Sequence, residues 1–119
     1  MSVNPNATIN IIRGTNKTIA VTVKDVTGVA IDITGSTAYC SVKGNLEDAA
    51  TLFQLSTAVG AEGSIVDAVA GKLEFYLVPL NTSALAPKSY WYDIQIVLAD
   101  TKRYCVVPPN YLSVEWDVG

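Results

Sequence analysis

"SYWYDIQIVLAD", residues 89–100, carries the fold class in its spacing. Tyr90, Tyr92, Ile94, Ile96 and Leu98 fall on alternate positions, and a period of two sustained this long describes a strand of an antiparallel sheet with one covered face. The pattern recurs along the chain. "TIAVTVK" sets Ile19, Val21 and Val23 against Thr18, Ala20, Thr22 and Lys24, and "GKLEFYLV" sets Leu73, Phe75 and Leu77 against Lys72, Glu74 and Tyr76. The closing "YLSVEWDV" aligns Leu112, Val114, Trp116 and Val118 against Ser113, Glu115 and Asp117. Further strands are expected near residues 7–13, 36–43, 50–56 and 64–67. Seven to nine short strands separated by Gly, Pro, Asn and Asp clusters predict an all-β, immunoglobulin-like antiparallel β-sandwich.

Two segments interrupt the strands. "NLEDAATLFQL", residues 45–55, fits a helical period at Leu46, Ala49, Ala50 and Phe53, but Gly44 before it and the Thr and Gly residues after it favour a loop leading into a short strand. "LNTSALAP", residues 80–87, reads as a single helical turn capped by Asn81 or Thr82 and stopped by Pro87, carrying the chain from one sheet to the other. The 119 residues, with no repeat and no low-complexity linker, form one domain, 1–119. A chain of that length buries roughly two thirds of its unfolded surface and needs no staples.

Composition narrows the chemistry. Half of the residues are hydrophobic and 16% are charged, which places the chain among packed globules or subunits that also bury surface against partners. The net charge of −3 and the scatter of the eight Lys and Arg residues leave no basic stripe, so a nucleic acid partner is not expected. "MSVNPNATIN" has no signal-peptide pattern and no stretch approaches a membrane span, so the protein is expected to be made in cytosol. The sequons at Asn6, Asn16 and Asn81 are then chance matches, and Cys40 and Cys105 are thiols rather than a disulfide.

Histidine is absent, which removes the Ser-His-Asp and Cys-His arrangements and the common zinc sites, and the two cysteines match no zinc spacing. The eleven Asp and Glu residues sit mostly at strand ends or on polar faces. No enzyme, cofactor or metal is expected. "KDVTGVAIDITG", residues 24–35, is the best candidate for a cation site, but hydrophobic residues occupy most of the places where a calcium loop needs oxygens. It reads instead as a corner: Asp25 bonding nearby amides, Gly28 at positive φ, and a second bend at Thr34-Gly35.

Several stretches follow one another in an order that resembles a known family: "D-x-x-G-x-x-x-D-I-T-G" (25–35) after a strand, a strand ending in "SVKG", then "SIVDAVAGKLEFYL", "T-x-x-L-x-P-x-x-Y-x-Y-D" (82–93) and a late hairpin returning through "YCVVPPNYLSVEWDV". Together they resemble the immunoglobulin-like N-terminal domain of phage baseplate upper proteins. The resemblance implies a non-enzymatic virion protein, assembled in several copies with itself and with other virion proteins, acting as a tail or baseplate adaptor. The family continues into a helical or fibrous region where this chain ends at Gly119, so a capsid decoration or head-fibre role is the alternative. Vertebrate immunoglobulin domains fit less well, since Trp91 follows Cys40 by 51 positions. Tyr90, after "LAPKS", resembles a tyrosine corner or fills the core edge.

If Asp100 and Thr101 form a two-residue hairpin loop, Val97 faces Tyr104, Ile96 faces Cys105 and Gln95 faces Val106. Ile94, Ile96, Cys105 and Val107 then point into the core, while Trp91, Val97, Tyr104 and Val106 point outward as the centre of a protein interface, unless loop 44–50 or 57–63 covers them. A carbohydrate-binding module is a further alternative, with Trp91, Tyr104 and Tyr111 as stacking platforms for a glycan.

Overall fold

A computed structural model describes residues 8–25, 27–45, 47–48, 50–58, 60 and 62–116. Eight strands form two sheets: β1 (Ile9–Ile12), β2 (Lys17–Thr22), β3 (Thr37–Lys43), β4 (Phe53–Ser56), β5 (Gly63–Asp67), β6 (Lys72–Leu77), β7 (Ser89–Val97) and β8 (Arg103–Glu115). One helical turn, α1 (Pro79–Thr82), lies between β6 and β7. The larger sheet has the order β1-β8-β7-β3-β4 and the smaller β2-β6-β5. With β1 set aside, the order 8-7-3-4 beside 2-6-5 is the G-F-C-C′ and B-E-D arrangement of an immunoglobulin-like sandwich. Every pairing is antiparallel except that of β1 with β8, which is parallel from Ile9↔Leu112 to Ile12↔Glu115, so the larger sheet is mixed.

The core is the inner face of each alternation. Leu73, Phe75 and Leu77 of β6 meet Ala38, Cys40 and Val42 of β3, Tyr90, Tyr92, Ile94 and Ile96 of β7, and Leu112 and Val114 of β8, all buried in one cluster. The weaker expected strands appear as β1, β3, β4 and β5, and described residues of the 45–52 stretch form no helix before β4 begins at Phe53. The helical turn starts at Pro79, one residue earlier than "LNTSALAP". Asn81 occupies its third position and reaches back to accept from the Val78 N–H at 2.7 Å, while Thr82 is buried and its Oγ1 accepts from the Gly14 N–H at 2.9 Å. Both residues stabilise the turn, neither as its N-cap.

The corner at 24–35 forms as its residues predict. Asp25 Oδ1 accepts from the Thr27 hydroxyl and from the N–H groups of Thr27 and Val29, and Gly28 lies at φ +87°. Asp32 accepts from Thr34 in the same manner before Gly35 turns at φ +77°. Hydrogen bonds from Ile33 N–H to the Ala68 carbonyl and from Val23 N–H to the Gly71 carbonyl tie this corner to the β5–β6 turn. Val26 lies outside the described residues, as do Met1–Ala7 with the sequon at Asn6.

Tyr90 forms the corner: its hydroxyl donates to the Ala86 carbonyl at 2.6 Å. The bond spans the chain entering β7 and fixes where that long strand begins.

The β7–β8 hairpin departs from its expected register. Leu98 N–H donates to the Lys102 carbonyl and Thr101 N–H to the Leu98 carbonyl, so the loop is three residues, Ala99 to Thr101, with Thr101 at φ +70°. A type I turn followed by a left-handed residue is the usual form of such a loop. Val97 therefore pairs with Arg103, Ile96 with Tyr104 and Gln95 with Cys105. Farther along, the register shifts twice: Ile94 pairs with Val107, leaving Val106 as an extra residue, and Tyr92 pairs with Asn110, leaving Asp93 opposite both Pro108 and Pro109. At its far end, the expected covered face stops short. β8 ends at Glu115, and Trp116 is 70% exposed beneath the Arg13 guanidinium, 5.4 Å from the ring centroid. Val118 and Asp117 lie outside the described residues.

Candidate interaction face

The outer face of the larger sheet is built by the odd positions of β3 and β7, since directly opposed residues of paired strands share a face. Thr37, Tyr39, Ser41 and Lys43 of β3 stand opposite Val97, Gln95, Asp93 and Trp91 of β7. β8 adds Arg103 opposite Val97, Cys105 opposite Gln95 and Tyr111 opposite Trp91.

Of the four residues expected at an interface, Trp91 and Val97 lie on this outer face and are half-buried. Tyr104 is 37% exposed, but it pairs with the buried Ile96 near the hairpin tip rather than with an outer-face residue. Val106 is corrected: it is 0% exposed, inside the core. Cys105, expected inside, is exposed on the outer face, whereas Ile94, Ile96 and Val107 are buried as expected. A three-residue loop in place of two moves every residue of β8 at the tip by one position and exchanges its faces. The Val106 bulge restores the expected pairing at Ile94↔Val107 and there alone.

The structure joins Trp91 to Tyr111, and not to Tyr104. Their ring centroids are 4.5 Å apart with planes tilted by 35°. Tyr111 thereby braces one side of the indole. Beside Trp91 lies a depression of about 120 Å³ lined by Trp91, Ser41, Lys43, Tyr92, Asp93 and Pro109. Its origin is local: Pro108 and Pro109 have no N–H to offer the ladder opposite Asp93, so the strand bulges there and the sheet opens. The signal was present in "VVPPNY", because two prolines in a strand paired on one long side demand a bulge.

A polar chain runs from this depression toward the hairpin tip. Gln95 Nε2 donates to Asp93 Oδ2 at 3.2 Å, and Arg103 Nη1 donates to Gln95 Oε1 at 2.9 Å. The Arg103 guanidinium also lies 5.5 Å from the Tyr39 ring centroid. Gln54 Nε2 donates to Ser41 Oγ at 2.8 Å. Within loop 57–63, Glu62 accepts from Ser56 N–H through its carboxylate and from Tyr76 N–H through its carbonyl, at the β4–β6 edge of the sandwich.

Both cysteines are free thiols. Burial pushes the Cys40 thiol up to about 12, with the Asp93 carboxylate adding to the effect. Cys105 is also raised, by partial burial and then by Asp93. Asp25 and Asp32 lie below the ordinary carboxylate value, held there first by the hydroxyls of Thr27 and Thr34. Among the described residues no three His, Cys, Asp or Glu side chains converge as metal ligands, and no helix is long and apolar enough to cross a membrane.

No family model matches the chain, and no curated protein matches it. Among solved structures it is similar to one of murine CRIg, at 8% identity and a TM-score of 0.43, covering 93% of this chain and 92% of that one. The immunoglobulin-like assignment rests on the order and pairing of the strands themselves, in two sheets of five and three.

Proposed function

We propose that this protein is a non-enzymatic structural component of a bacteriophage virion, an adaptor of the tail or baseplate that is present in several copies and fastens neighbouring virion proteins. The observation that carries the reading is the outer face of the larger sheet, where Tyr39, Trp91, Val97 and Tyr111 stand around a polar chain with one side of the sheet uncovered by the smaller one. Aromatic and Arg side chains are enriched at interface centres, and Arg103, with its guanidinium over the Tyr39 ring, is of that kind. The ordered motifs between residues 25 and 118, which resemble the baseplate family, supply the virion context. A capsid decoration or head-fibre protein would use the same face in the same manner.

Purified phage particles probed with an antibody to the chain, followed by an electron cryo-microscopy map, test the proposal. Copies arranged on a symmetry axis of the tail with Tyr39 and Val97 beneath a neighbour are expected. A particle that lacks the chain, or carries it with this face wholly open, would refute it.

A further inference from the structure

The depression beside Trp91 has a chemistry of its own. Its lining includes the indole of Trp91, which packs against the Tyr111 ring with 4.5 Å between centroids, so the indole is held before any ligand arrives. Its rim carries the Asp93 carboxylate, whose Oδ2 is engaged by Gln95, together with the Lys43 side chain and the Ser41 hydroxyl. One carboxylate and one ammonium on the same rim leave it without net charge and so without preference for an anion or a cation, while both bond neutral hydroxyls as acceptor and donor. The C–H bonds of a pyranose ring carry slight positive charge and lie well against the negative face of an aromatic ring. At about 120 Å³ the depression is smaller than the roughly 300–1,000 Å³ of pockets for drug-sized ligands, which limits it to a single ring.

The geometry points to a carbohydrate subsite here: one neutral pyranose ring of a glycan, stacked on Trp91 and hydrogen-bonded by Asp93 and Lys43. The Pro108-Pro109 bulge is the device that makes it, because it breaks the β7–β8 ladder opposite Asp93 and frees that end of the face for a ligand. The hairpin-tip end, with Tyr39, Val97 and Arg103, stays available for protein contacts, so the subsite goes beyond the assembly role and does not depend on it.

The test is a nitrogen-15 correlation spectrum of the full chain titrated with the methyl glycosides of glucose, galactose and N-acetylglucosamine. The protein has two indole N–H groups, and Trp116, exposed beyond the end of β8, is an internal control. At least one glycoside is expected to move the Trp91 signal saturably at millimolar concentration while Trp116 stays in place. Asp93→Asn, an outer-face substitution that leaves the core untouched, is expected to weaken that binding about tenfold or more, and Trp91→Ala to abolish it. No movement with any of the three glycosides overturns the proposal, as does a shift that Asp93→Asn leaves unchanged. A Trp91 signal that moves with protein concentration alone would assign the site to a second copy of the chain and equally overturn it.

Discussion

Cys105 and Val106 are neighbours in β8, and conservative substitutions at the two positions should separate cleanly. Val106 is 0% exposed, so Val106→Thr exchanges one buried methyl for a hydroxyl without opening a cavity. An unsatisfied buried hydroxyl costs about 1–3 kcal/mol. For a domain of this size, about 4 °C of melting temperature is lost per kcal/mol, so the midpoint falls by about 4–12 °C. Cys105→Ser changes an exposed side chain whose Sγ donates to the Val107 carbonyl at 3.3 Å, a bond that a serine hydroxyl can also make. Its effect should stay within about 0.5 kcal/mol, or roughly 2 °C. Thermal melts followed by far-ultraviolet circular dichroism, with a urea titration to give the free energy, provide the comparison. A two-residue hairpin loop would place Cys105 in the core and Val106 outside and so reverse the order of the two variants. A larger loss for Cys105→Ser than for Val106→Thr would therefore refute the three-residue loop and every assignment of the outer face made from it.

Native protein should react with a thiol reagent at one cysteine, Cys105, and at both once unfolded, as measured by absorbance of the released thiolate; Asp93→Asn should quicken the native reaction at neutral pH, because the Asp93 carboxylate contributes to raising that thiol. Tyr90→Phe removes the hydrogen bond to Ala86 and should cost about 1 kcal/mol in urea unfolding, whereas no loss would deny the corner its structural role. Gly71→Ala should be far more damaging, since Gly71 sits at φ +71° and an added Cβ would meet the Val23 and Ile31 carbonyl oxygens at 2.7 Å; a melt within a degree or two of the parent would refute that packing. Asp25 has a folded pKa below 3.8, so its stabilising contribution is complete above that value and is lost as pH falls through the folded one. Asp25→Asn should accordingly lower stability at neutral pH and flatten the acid limb of the curve below pH 3.8, the two proteins converging as Asp25 is protonated.

The alternation of β6, β7 and the last residues of β8 was legible because burial of one sheet face imposes a period of two on composition, and Leu73, Phe75, Ile94, Ile96, Leu112 and Val114 all obey it. The 24–35 corner was legible for a different reason: Asp25, Gly28, Asp32 and Gly35 bond or bend locally, within a few residues of themselves. The hairpin register was not. Two-residue and three-residue loops are both compatible with "LADTK", and the choice between them is made by how β8 packs over its whole length, including two bulges that each insert one residue. A single step exchanged Cys105 and Val106 between core and surface. Nor could alternation indicate where β8 ends, so Trp116 continued the pattern in sequence while standing beyond the last ladder bond in space.

The sequence by itself determined the all-β class, most of the core and the form of the 24–35 corner, since each depends on residues close together in the chain. Tertiary structure alone decided which aromatic residues meet. Trp91 and Tyr111 are twenty positions apart and become neighbours only because two inserted residues carry β8 past Asp93, while Tyr104, which a two-residue loop would set opposite Val97, lies opposite Ile96 near the tip. Pairing across strands is a sum over register, and one residue of error anywhere between the loop and the contact changes both the partner and the face.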